Sequence, residues 1–101
     1  QPHRYSRVKD LYDDFCSSFN RAGQVIVCPV YAAGEEAIEG IDHVSIAEDM
    51  RRRGHRGVHA VESLEEAETY IAGLVESGDV VITLGAGNVN AICEPLLERL
   101  G

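Results

Sequence analysis

The chain has 101 residues, 45% apolar and 26% charged, a balance that suits one folded domain over 1–101 and excludes a disordered chain. Nine Lys and Arg face 17 Asp and Glu, a formal net charge of −8, which argues against nucleic acid or an anionic membrane as partner. No apolar run approaches the ~20 residues of a membrane span, no secretory leader is read, and three cysteines without metal-like or disulfide-like spacing suit reduced thiols in a cytoplasmic protein.

Residues 6–22 predict a helix, because Val8, Leu11, Tyr12, Phe15 and Phe19 recur at spacings of three and four. Ser6 is its expected N-cap and Gly23 its expected C-cap. Residues 24–30, QVIVCPV, are rich in β-branched residues and apolar on both faces, as a buried parallel strand is; Pro29 limits its pairing. Residues 31–40 are too polar and Gly-rich for a regular element. Asp42 caps a helix running to about Arg53, with Gly54 as its stop and Ile41 and Ile46 as a hydrophobic staple. Arg51, Arg52 and Arg53 suit a helix C-terminus better than a nucleic-acid patch.

VHAV (58–61) is a second strand. Ser63 and Glu66 form a capping box that opens a helix carrying Leu64, Ala67, Ile71, Leu74 and Val75 on one face and ending at Gly78. DVVITL (79–84) is a third strand, followed by the turn Gly85-Ala86-Gly87-Asn88. A last helix carries Val89, Ile92, Cys93, Leu96, Leu97 and Leu100, with Pro95 delaying or kinking it. Cys28 and Cys93 fall on apolar faces and Cys16 beside one, so all three are expected as core residues. The histidines at 3, 43, 55 and 59 share no metal-ligand spacing, and no metal site is expected; His43 is expected at a helix-start surface, His55 and His59 beside a strand.

Alternation of this kind implies an α/β fold, a parallel sheet flanked by helices in three layers. The chain opens on QPHRYSR directly before a helix with no strand ahead of it, which suggests a fragment of a longer chain lacking the domain's first strand. Ligands of open parallel sheets bind beyond the carboxyl ends of the strands. QPHRYSR, VYAAGE (30–35) and LGAGN (84–88) would meet there, collecting His3, Arg4, Arg7, Tyr31, Glu35 and Asn88 beside the amides of Gly85 and Gly87. Two arginines three apart at a helix start suit a carboxylate or phosphate, although solvated surface residues would read the same way. GAGN has the position of a phosphate-binding turn, but it lacks the third glycine of a dinucleotide fingerprint and the Gly-Lys-Ser/Thr of a P-loop, and a ligand-free tight turn fits equally.

QPHRYSR followed by KDLYDDF, then VYAAGE with a later Gly-Ile-Asp, then GDVVITLGAGNV, resemble in order three signatures of the C-terminal domain of the Mur ligases, in the branch that adds alanine. The resemblance covers essentially the whole chain and implies a Rossmann-like fold. It further implies a cytoplasmic, ATP- and Mg²⁺-dependent ligase of peptidoglycan synthesis, with UDP-N-acetylmuramate and L-alanine as substrates. In such ligases the carboxylate of the sugar nucleotide is phosphorylated and the amine of the amino acid then displaces phosphate. The nucleotide would be held by the other ligase domains in cis, so this chain alone is expected to hold no cofactor, to have no catalytic residue and to be inactive. His3, Arg4 and Arg7 fall on the motif that faces alanine, Arg7 as the carboxylate ligand and His3 with Arg4 as the wall of the side-chain pocket. Tyr31, Glu35, Gly85, Gly87 and Asn88 form the expected edge of the site, without individual roles. A free-standing, non-catalytic module for a small anion or nucleotide is the alternative, and a pure interaction domain a third reading that nothing in the surface pattern supports.

Overall fold

A computed structural model describes all residues, Gln1–Gly101. Two short helices, α1 (Tyr5–Asp10) and α2 (Tyr12–Ser17), precede strand β1 (Val25–Val27). Helix α3 (His43–Arg52), strand β2 (Val58–Ala60) and helix α4 (Leu64–Leu74) follow, and a 3₁₀ turn (Val89–Ile92) leads into α5 (Cys93–Leu100). The two strands pair in parallel with Val25 opposite Val58, Ile26 opposite His59 and Val27 opposite Ala60.

Strand side chains alternate between faces, and the core is divided accordingly. Val27 and Val58 pack with Val8, Cys16, Ile46, Ala47 and Met50 from α1, α2 and α3. Cys28 and Val61 pack on the other face with Ala67, Ile71, Val89, Ile92 and Leu96. This is the expected helix–sheet–helix layering, built on a narrower sheet.

The local start and stop signals account for the helices on either side of β2. Asp42 accepts from the Ser45 N–H at 2.7 Å and Gly54 takes φ 103°, the left-handed stop. Ser63 accepts from the Glu66 N–H at 3.0 Å, but Glu66 returns its bond to the Glu62 N–H at 2.7 Å, one residue ahead of the expected partner. Pro95 falls in the first turn of α5, where it costs no hydrogen bond, and the helix start is delayed as expected.

Several expectations are corrected. Residues 79–84 form no strand: no ladder pairs them, and Val80 is 83% and Ile82 72% exposed. A strand needs a hydrogen-bonded neighbour, and the place beside β1 is taken at its carboxyl end by the first residues of the chain. There Arg4 N–H donates to Tyr31 C=O and Tyr31 N–H to Pro2 C=O, both at 2.8 Å, while the Gln1 amine donates to Leu84 C=O at 2.8 Å. The helix expected over 6–22 is broken at Leu11 (φ −113°, ψ 22°) and ends at Ser17, and Leu11 is 52% exposed. Gly23 caps nothing, because the helix ends six residues before it. Ser6 is not a cap; Arg4 is the N-cap residue of α1, without a side-chain bond. Helix α4 stops at Leu74 rather than Gly78. Cys93, Leu97 and Leu100 are exposed, since the 3₁₀ turn shifts the phase of the stripe and only Val89, Ile92 and Leu96 reach the core. Cys16 and Cys28 are buried, and burial pushes both thiols up from their ordinary range.

Candidate functional site

Three loops meet beyond the carboxyl end of β1. The first is residues 1–7, joined to Tyr31 by the backbone bonds above and by a stack of the His3 and Tyr31 rings, centroids 5.5 Å apart and planes 8° apart. The second, residues 31–35, ends on Glu35, whose Oε1 accepts the Ser6 N–H at 3.2 Å and whose Oε2 accepts the Ser6 hydroxyl at 2.6 Å. These bonds, the hydroxyl's first, hold the Glu35 carboxyl below its ordinary range, and the nearby Arg4 charge adds to the effect.

The third loop is the glycine turn. Gln1 Nε2 donates to Asn88 Oδ1 at 2.9 Å, and Asn88 N–H donates to Gln1 Oε1 at 3.2 Å. A Cβ on Gly87 would lie 2.8 Å from the Tyr31 ring, and one on Gly85 2.9 Å from Val89. Glycine is needed at 87 for this close approach. The turn thus wraps Gln1 and Tyr31.

Arg4 and Arg7 line one shallow depression with Ser6, Asp10 and Leu11. Neither guanidinium enters an ion pair. Elsewhere in the chain Arg51 donates to Val58 C=O at 2.9 Å, Arg52 pairs with Asp49 at 3.0 Å and Arg53 with Asp13 at 2.7 Å, while Arg21 and Arg56, like Arg4 and Arg7, enter no ion pair. Arg4 has φ 62° and ψ 127°, a conformation L-residues rarely take, and Ala33 in the facing loop has φ 52°. No sequence signal marks either position.

The other polar groups stand apart from this edge. His55 is buried, accepts the Gly57 N–H at its Nδ1 (3.1 Å) and so donates from Nε2 to Phe19 C=O (3.1 Å). His59 stacks on Tyr70 with centroids 4.1 Å apart. His43 is less exposed than a helix-start surface residue would be, 12% at its side chain, with Nε2 3.6 Å from Glu62. No three His, Cys, Asp or Glu side chains lie together in an arrangement that could hold a metal ion. No helix is long and apolar enough to cross a membrane.

A parallel sheet covered by helices on both faces, with polar loops gathered at a strand end, is an α/β layer structure of Rossmann-like kind. The family model described as the Mur ligase, glutamate ligase domain matches residues 3–87, and the chain belongs to that family. It is 48% identical over 98 residues to the UDP-N-acetylmuramate–L-alanine ligase of Desulfosudis oleivorans, an alignment covering 97% of this chain and 21% of that protein. With the enzyme of the same name from Methylobacterium radiotolerans it shares 54% identity over 100 residues, 99% of this chain and 21% of the relative. The Azorhizobium caulinodans ligase of that name is 48% identical over 104 residues, 100% of this chain and 22% of the relative. The chain therefore spans about a fifth of the length of these relatives.

Proposed function

We propose that residues 1–101 form a single amino-acid-positioning domain of a longer, ATP-dependent ligase joining L-alanine to UDP-N-acetylmuramate in peptidoglycan synthesis. The observation that carries the reading is the match along nearly the whole chain to relatives of that name. The first residues bond to Tyr31 on one side and to Leu84 on the other, tying β1 to residues 79–84.

The chemistry asks for an amino acid held by its carboxylate, leaving the amine free to attack. Arg7 is the proposed ligand: an unpaired guanidinium matches a carboxylate with two parallel hydrogen bonds. Arg4 and His3 wall the side-chain pocket, while Tyr31, Glu35, Gly85, Gly87 and Asn88 build the edge behind them. Holding amine and acyl carbon in register contributes ~7–11 kcal/mol toward such a reaction. The reading assigns ATP and Mg²⁺ to the other ligase domains. The Asn88 amide bonds Gln1 rather than standing free for a phosphate, and no carboxylate cluster is formed.

The test is steady-state kinetics of Arg7→Ala in the full-length ligase, varying each substrate separately. Loss of a charge-assisted bond, ~1.5–3 kcal/mol, lowers kcat/KM for alanine roughly 10- to 150-fold. The KM values for ATP and UDP-N-acetylmuramate stay near wild type. Unchanged alanine kinetics would remove Arg7 from the site.

A further inference from the structure

We infer that Glu35 is a positioning residue for the amino-acid site, acting through the start of α1, which carries Arg4 at its N-cap and Arg7 in its first turn; the inference rests on the function proposed above. Arg4 has a left-handed backbone (φ 62°) in a turn that is anchored on both sides. On one side its N–H is bonded to Tyr31 C=O at 2.8 Å. On the other, two residues later, Ser6 gives both its N–H and its hydroxyl to Glu35. Both anchors come from one loop, residues 31–35, which has its own left-handed residue, Ala33. Such conformations persist only where the surroundings over-determine them.

Glu35 does nothing else that explains its geometry. It lies outside both core clusters and enters no ion pair. Its two bonds reach a residue 29 positions away, at the second residue of α1, one before Arg7. Without them α1 would be free to relax toward an ordinary helix start, Arg4 would leave its left-handed state, and both guanidinium groups would shift. A misplacement of about 1 Å costs up to ~100-fold in a positioned reaction. The carboxylate also caps α1 from outside, so the substrate carboxylate is left to the arginines rather than to the helix amides.

The experiment is alanine kinetics in the full-length ligase with Glu35→Ala, Glu35→Gln, Ser6→Ala, the Ser6→Ala/Glu35→Ala double variant and Arg7→Ala. Glu35→Ala is expected to lower kcat/KM for alanine about 10- to 100-fold, with KM for ATP and the sugar nucleotide and the melting temperature close to wild type. Glu35→Gln keeps an acceptor for the Ser6 N–H and a polar partner for its hydroxyl, and recovers most of the loss. The double variant loses no more than Glu35→Ala alone, because Ser6→Ala removes one of the two bonds that Glu35→Ala already removes. Wild-type alanine kinetics in Glu35→Ala would overturn the inference. So would an equal loss for all substrates with a fallen melting temperature, or losses from Ser6 and Glu35 that multiply. If Arg7→Ala is selective for alanine while Glu35→Ala is silent, the function stands and this inference falls. If the wild-type enzyme does not use alanine, the function itself falls.

Discussion

Replacing Gly87 by alanine tests whether the three loops are packed as described. The new Cβ would lie 2.7 Å from Gln1 Oε1 and 2.8 Å from Cγ and Cδ2 of Tyr31. Unstrained carbon contacts fall at ~3.5–4.0 Å, so roughly 0.7–1.2 Å must be opened. Gln1 can retreat only by giving up its bonds to Asn88, and Tyr31 only by leaving its stack on His3. Overpacking of this kind costs ~1–3 kcal/mol. At about 4–8 °C per kcal/mol for a domain of this size, the melting temperature falls by several degrees. The assay is urea unfolding: the midpoint drops and the slope is unchanged. In a Tyr31→Ala background the ring is gone, and Gly87→Ala costs at least ~1 kcal/mol less than in wild type. Gly73→Ala is the control, since nothing lies within 4 Å of that Cβ position and its helix gains up to ~1 kcal/mol. Costs at Gly87 and Tyr31 that add within ~0.3–0.5 kcal/mol would refute the packing argument.

Arg4→Gly relieves a left-handed φ whose strain is of order 1–3 kcal/mol, so thermal stability should hold or rise while alanine kcat/KM in the full-length ligase falls; a loss of stability would show that Arg4 is not strained. Tyr12 donates to Asp49, and burial first and that bond second push its phenol above the ordinary tyrosine range. A proton held more tightly in the folded state stabilises it below the ordinary tyrosine value and is lost as pH rises through the folded value. Tyr12→Phe should therefore be less stable than wild type at pH 7, and urea midpoints should show the gap closing above about pH 10. A gap that is constant with pH would place Tyr12 in ordinary surface surroundings.

Local signals in the sequence were sufficient for β1, β2, α3 and the start of α4. Asp42, Ser63 and Gly54 act on residues three or four away, and the β-branched run at 25–27 carries the alternation that splits the core into two faces. The order of these elements dictated the parallel pairing of β1 with β2 and the gathering of three loops at one strand end. Residues 79–84 show the limit of such signals. Their composition is that of a strand, but a strand is a pairing, and no neighbour pairs with them. At Leu11 neither Gly nor Pro marks the break between α1 and α2. The site's finer geometry was equally hidden. Ser6 reads locally as a helix cap, yet it donates to a carboxylate 29 residues away, and the Gly87 turn closes on Gln1, whose side chain reaches Asn88 across 87 positions. Arg4 takes its left-handed backbone although nothing in its own side chain favours it. Caps, periods and turns depend on residues within one helical turn, so they are written locally. Strand partners, the target of a carboxylate and a strained φ are determined by what the rest of the chain brings alongside, and only the assembled tertiary structure decides them.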